Sequence, residues 1–313
     1  MMKLVTSTGD FSWYADTVEE KIKNFKGTKF KYLNLEQTGQ IYEFFCEDDD
    51  AWKALAHKWG EAAVYADKKF VVSHAPCLNV YSPSYDEETY KVYVRAIRRS
   101  LEVCHELGID RTVVHACPAL RFTPQEFYEK NKKFYTEFFD LMEKYNITVM
   151  TENWDTSINP ISTGKEMRYL ADYLEHPLLA VCWDTAHANF NAKSRAVGQY
   201  ENIMELGDKL KGLHISDNFG DTHHHSWPFA GIINFDSVMQ ALSDVKYDGY
   251  FTFEASYTLL HHKNLPYQRE PWEHNGQTVT KLLDPSIELK KVAIDLLYET
   301  GKYILETYNM FEE

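Results

Sequence analysis

Glu152, Asp184, His214 and Glu254 follow one another at intervals of 32, 30 and 40 residues, and His74 and His115 precede them at intervals of 41 and 37. Each interval is close to the length of one strand-plus-helix unit. Three carboxylates and one imidazole form an oxygen-rich set that suits Mn²⁺, Co²⁺ or Mg²⁺ and tolerates Zn²⁺. Two of the carboxylates are glutamates, each able to hold a cation with one oxygen and move a proton with the other. A hydroxy-carbonyl compound beside such a cation has an acidified α-proton, because the charge stabilises the enediolate that forms. Two glutamates facing that enediolate are what aldose–ketose isomerisation or epimerisation requires.

For these side chains to meet, the elements carrying them must converge. Apolar, β-branched runs at 3–8, 29–36, 69–74, 112–116, 147–152, 178–184, 210–216 and 249–254 predict eight strands. Helical periodicity predicts helices over 16–25, 49–67, 86–108, 123–145, 163–175, 196–209, 235–245 and 286–308. The fourth opens with a Thr cap and Pro at its first position. Strict alternation predicts a parallel sheet with right-handed crossovers, and eight units predict one closed (β/α)₈ TIM barrel spanning residues 1–313. Glu36, His74, His115, Glu152, Asp184, His214 and Glu254 then fall at or near successive strand ends, on the face where barrels carry their sites. His187, three residues after Asp184, shares a face with it if a helix starts there. The irregular stretch 256–283 follows strand 8 and is a candidate lid over that face.

Composition narrows the class. No apolar run approaches 18 residues, so no membrane span is expected. The N-terminal residues lack a signal-peptide core. Five scattered cysteines (Cys46, Cys77, Cys104, Cys117, Cys182) without a CxxC pair point to a reducing cytoplasm and no thiolate zinc site. A net charge of −14 repels phosphate backbones and disfavours an extended nucleic-acid footprint. The expected partner is a small sugar-like substrate, with a homo-oligomer left open.

Residues 220–231 read GDTHHHSWPFAG. The three histidines follow strand 7, in a loop over the barrel mouth. In an extended loop alternate side chains oppose one another, so His223 and His225 are expected to point inward and His224 toward solvent. The inward pair would bind substrate oxygens, or a second metal together with His187 and His115.

From strand 2 to strand 8 the chain resembles the xylose isomerase-like TIM-barrel superfamily, which groups sugar phosphate isomerases and epimerases with endonuclease IV. The matching stretches are SHAP (73–76), VVHA (113–116), TENW (151–154), WDTAH (183–187), LHISDNFGD (213–221), HSWPFAGIINF (225–235) and FTFEAS (251–256). WDTAH and the HxxPxxGxIxF pattern are the most specific. The resemblance implies that Glu152, Asp184, His214 and Glu254 hold one divalent ion (Mn, Co, Mg or Zn). It also implies that Glu152 and Glu254 transfer protons and that His187 touches substrate. His74, His115 and His187 match further zinc ligands of endonuclease IV, whose AspxHis pair falls near His223 and His225, so additional zinc is conceivable. The acidic member is replaced by His223, unless a gap shifts it to Asp221. Ketohexose 3-epimerases carry an arginine shortly after the strand-7 histidine, and here DNFGDTHHH has none. Pro228-Phe-Ala-Gly231 stands where relatives often read PGEG. The implied activity is a metal-dependent isomerase or epimerase of a small sugar, sugar phosphate or related polyol. The alternatives are an inosose dehydratase-like lyase and a multinuclear zinc phosphodiesterase.

Overall fold

The computed structural model describes residues 1–40, 44, 48–77, 87–117, 122–156, 159–255, 259 and 270–313. Its first half runs β1 (Leu4–Ser7), α1 (Val18–Asn24), β2 (Tyr32–Glu36), α2 (Asp49–Ala66), β3 (Lys69–His74), α3 (Glu87–Glu106), β4 (Arg111–Val113), α4 (Pro124–Thr136), α5 (Phe139–Tyr145) and β5 (Thr148–Glu152). The second half runs α6 (Gly164–Tyr173), β6 (Leu179–Asp184), α7 (Thr185–Phe190), α8 (Ala192–Val197), α9 (Gln199–Leu206), β7 (Leu210–His214), α10 (Phe235–Asp244), β8 (Phe251–Phe253), β9 (Trp272–His274), β10 (Gln277–Val279) and α11 (Ile287–Thr307).

Strands β1 to β8 form one parallel sheet in the order β7-β6-β5-β4-β3-β2-β1-β8. The ring closes where Ile215 and Phe253 bridge, with Ile215 N–H donating to Thr252 O and Glu254 N–H to Ile215 O. The chain is therefore a (β/α)₈ barrel, as its alternation predicts. Thr17, Thr123 and Thr163 each start a helix with a reciprocal capping box.

Two departures have local causes. The helix expected over 123–145 divides at Glu137 and Phe138. Two short helices, α7 and α8, precede α9 because side chains cap them: Asp184 accepts from His187 N–H and Asn191 from Lys193 N–H. Of the candidate lid, residues 256–258 and 260–269 lie outside the described residues, and the β9–β10 hairpin is exposed on both faces.

Inside the barrel, Val5, Val71, Val72, Val113, Met150, Ala180 and Cys182 form one buried cluster. Gly212 makes room for it, since a Cβ there would sit 2.6 Å from Met150 Sδ. A much larger apolar layer lies between sheet and helices. Period two along a strand carries the inward face from Val72 to His74, Val113 to His115, Met150 to Glu152 and Cys182 to Asp184. The apolar lumen thus ends in polar side chains at the mouth.

Helix α11 packs over the paired strands β8 and β1. A Cβ on Gly301 would lie 2.6 Å from Phe253 Cζ and 2.7 Å from Leu4 Cδ2, so the helix approaches that closely only because residue 301 has no side chain. Near its start, fully buried Lys290 offsets the charge of buried Asp10. Gly301→Ala is expected to lower stability in chemical denaturation by about 1–3 kcal/mol, the usual cost of overpacking. Gly39→Ala, where a Cβ meets nothing within 4 Å, is the control and should be near neutral.

Candidate metal centre

Glu152 occupies the middle of the mouth. Its Oε1 lies 3.0 Å from His214 Nδ1 and 3.2 Å from His187 Nδ1, and its Oε2 lies 2.9 Å from His115 Nε2 and 3.7 Å from His74 Nε2. His74 Nε2 and His115 Nε2 are 3.1 Å apart. The same His214 Nδ1 is also 3.4 Å from Glu254 Oε2. Asp184 lies at the end of β6, fully buried, with Oδ2 3.7 Å from His187 Nδ1. His187 Nε2 reaches His223 Nδ1 at 3.1 Å, and the His223 and His225 rings lie 3.6 Å apart, centroid to centroid. His225 Nδ1 bonds to Glu254 O at 3.0 Å.

Nine of the residues singled out in the sequence meet here, and Glu36 stands beside His74, its Oε1 4.0 Å from Nδ1. The nine form four overlapping sets whose ligand atoms lie within 4.8 Å of one another: Glu152–Asp184–His214–Glu254, His74–His115–Glu152, Asp184–His187–His223 and His223–His225–Glu254. The first is the four-residue set drawn from strands 5 to 8. Asp184 Oδ2 and His223 Nε2 are buried without a hydrogen-bond partner among the described residues. Buried polar atoms ordinarily find partners, so these donors fit a cation. Their chemistry fits as well, mixing carboxylate oxygens with imidazole nitrogens.

The electrostatics show how crowded the mouth is. Burial opposes ionisation of Glu152, yet His214, His115 and His187 hold its carboxyl well below the ordinary range. Burial pushes Glu254 up to about 8, with Glu152 and Asp184 adding to the shift against His214. His74 and His187 rise to about 9 because neighbouring carboxylates outweigh burial, led by Glu36 for His74 and by Asp184 for His187. Burial lowers His115 and His225 to about 4 and carries His223 well down. The last three are therefore neutral near pH 7, the form in which imidazole binds metal.

The histidine run needs one correction. His223 and His225 face the site, but His224 does not turn to solvent. It is buried, with Nδ1 3.5 Å from Asp221 and its ring 5.6 Å from Phe219. The loop is not evenly extended: His225 has φ +43°, a left-handed kink that breaks the alternation.

Three contributors were not singled out in the sequence. Asp217 holds the histidine loop in place. Its Oδ1 accepts N–H bonds from Asn218 and Ile233, and its Oδ2 from Phe229 and Gly231. Gly231 can have no side chain, because a Cβ would meet Asn218 O at 2.3 Å. Trp154 packs on His115 and His187, with ring centroids 3.9 and 4.9 Å away. Asn153 ties β5 to β6 by bonds to both Asp184 N–H and Asp184 O. The one available signal was adjacency to Glu152 in TENW and to His214 in LHISD.

Comparison with known proteins follows the same lines. A family model described as xylose isomerase-like TIM barrel matches residues 47–275. An uncharacterised protein of Methanocaldococcus jannaschii is 26% identical over 188 residues, which take in 59% of this chain and 64% of that protein. A probable endonuclease 4 of Sulfurihydrogenibium sp. is 24% identical over 207 residues, 58% of this chain and 72% of that protein. Among solved structures, a D-tagatose 3-epimerase-like protein superposes with a TM-score of 0.66 at 22% identity, covering 98% of both chains. An IOLI protein with a bound zinc atom superposes at 0.69 with 16% identity, covering 100% of both. At these identities the structures speak for the fold alone. With the family model matching well over half of its length, the chain belongs to the xylose isomerase-like TIM barrel family.

Proposed function

We propose that this protein is a metal-dependent isomerase or epimerase of a small sugar, sugar phosphate or related polyol, with Glu152 and Glu254 as its proton-transfer groups. One observation carries the reading: the two glutamates both reach His214 Nδ1, at 3.0 and 3.4 Å, within a single four-residue ligand set. Glu152, Asp184, His214 and Glu254 would hold the cation. When bound, it supplies the positive charge that acidifies a proton beside a substrate carbonyl. Glu152, kept ionised by its histidines, is suited to take a proton. Glu254, with one oxygen on the cation, would carry a proton on the other and deliver it to the opposite face; its shift to about 8 belongs to the metal-free mouth. Trp154 presents an indole beside His115 and His187, a wall for the apolar face of a sugar ring. A D-tagatose 3-epimerase-like protein has the same barrel fold, which is compatible with this reading.

A second reading, a multinuclear zinc phosphodiesterase, is favoured by the sets His74–His115–Glu152 and Asp184–His187–His223, which offer places for further cations. The probable endonuclease 4 among the relatives points the same way, while the net charge of −14 opposes binding to DNA. The deciding experiment is a turnover screen of ketoses, ketose phosphates and inososes with Mn²⁺, run beside nicking of abasic DNA with Zn²⁺. Epimerised or isomerised sugar supports the first reading. Water loss from an inosose moves the assignment to a lyase, and DNA nicking without sugar turnover moves it to the second reading.

Two further outcomes are expected. Glu152→Gln and Glu254→Gln should each cost at least about 100-fold in turnover, the usual scale for a general acid or base. Turnover in D₂O should place deuterium on the reacting carbon, and near-normal rates in both variants would remove the two-glutamate scheme. The second outcome concerns pH. His74 and His187 titrate near 9 when folded, against an ordinary 6.5, so they stabilise the metal-free fold below about 6.5 and lose that contribution as pH rises toward 9. Glu254, at about 8 against 4.5, acts in the same direction, because the folded state binds its proton more tightly across that interval. Thermal unfolding of chelator-treated protein should therefore show a midpoint that falls from pH 6.5 to 9. Protein saturated with Mn²⁺ or Zn²⁺ should resist the fall, since the cation takes the place of the protons. Identical profiles with and without metal would contradict this.

A further inference from the structure

Helix α11 buries one face, through Ala293, Ile294, Leu297, Ile304 and Leu305. A surface helix normally turns a polar face outward. This one also carries apolar side chains among its exposed acids: Leu289 at 50%, Val292 at 64%, Leu296 at 54% and Tyr303 at 64% exposure. Beside Tyr303 opens a recess of about 420 Å³ between α10, α11 and the loop that carries Phe229 and Ile233. Phe229 forms its lip, 60% exposed, with its ring 6.5 Å from that of Tyr303. Several large apolar side chains exposed along one helix, beside an apolar-lipped recess, point to an interaction site.

We infer that this face is a two-fold interface between two copies of the chain, with the axis passing by Leu296. The argument is self-complementarity, which a two-fold interface requires. Leu289 and Tyr303 each lie seven residues from Leu296 in opposite directions, roughly 10 Å along the helix. An antiparallel pairing about Leu296 therefore sets Leu289 of one copy on Tyr303 of the other, beside the recess, which accepts the leucine side chain. Charge follows the same symmetry. Glu288 adjoins Leu289 and Lys302 adjoins Tyr303, so acid meets base at both ends. A membrane surface is a poorer occupant, because Glu288, Asp295, Glu299 and Glu306 on α11 would meet anionic lipid. The recess shares Phe229 and Ile233 with the loop that Asp217 holds, so the interface abuts the support of His223 and His225.

Sedimentation of the full chain at micromolar concentration tests this. The expected species is a dimer of twice 36.6 kDa. Leu296→Lys, at an exposed position, should give a folded monomer. Leu296→Cys should form a covalent dimer under mild oxidation while the wild type, with its five native cysteines, does not. Glu288→Lys and Lys302→Glu should each weaken the dimer and the double variant should restore it, a pattern that misfolding cannot produce. A wild type that stays monomeric overturns the inference, and so does a dimer that Leu296→Lys leaves intact.

Discussion

Glu152 places a buried carboxylate where an apolar lumen reaches the barrel mouth, and the rest of the mouth is arranged around the consequence. An isolated buried charge of this kind costs several kcal/mol unless it is paired. Four imidazoles approach it, two at each oxygen, and a further carboxylate stands beside His214. The histidines cannot all be charged at once: burial and mutual repulsion neutralise His223, and burial neutralises His115 and His225. What remains is a surplus of buried carboxylate, with Glu254 forced to keep its proton and Asp184 drawn the same way. A divalent cation resolves that surplus, and we propose that the site is built for one.

The barrel supplies this crowding through simple geometry. Each strand of the lumen ends one step beyond its last apolar inward residue, and that next inward position is polar. Met150 is followed by Glu152, Cys182 by Asp184, and Gly212, whose missing side chain admits Met150, by His214. Ligands drawn from separate strands are held by the hydrogen-bonded ring itself, which fixes their spacing more firmly than a loop could. The histidines beyond β7 are the exception. They sit on a loop, and that loop acquires its order from Asp217, whose two oxygens collect four backbone N–H groups.

Much of this was legible from the chain because the informative residues lie at regular intervals. Strand runs ending in His74, Glu152 and Asp184 were bounded by charge and by capped helices, and the structure places those strands within a few residues of their expected limits. Harder to see were features set by close contacts rather than by periodicity. The helix over 123–145 breaks at Glu137 and Phe138, and α7 and α8 exist because Asp184 and Asn191 act as caps in addition to any role at the mouth. His224 was expected outside on the assumption of an even alternation, which the left-handed backbone of His225 breaks. Trp154 gave no signal of its own, since an indole two residues past a strand end is ordinary until its ring is found against His115.

The central claim is that Glu152, Asp184, His214 and Glu254 together bind a divalent cation. Elemental analysis of protein purified without chelator, measured beside Asp184→Asn, tests it most directly. Asp184 has an oxygen with no hydrogen-bond partner among the described residues, so Asn would remove a proposed ligand while leaving the barrel's backbone pairing in place. The account predicts close to one tightly held divalent ion per chain in the wild type and little or none in the variant. A wild type that carries no metal and still turns over substrate would contradict it.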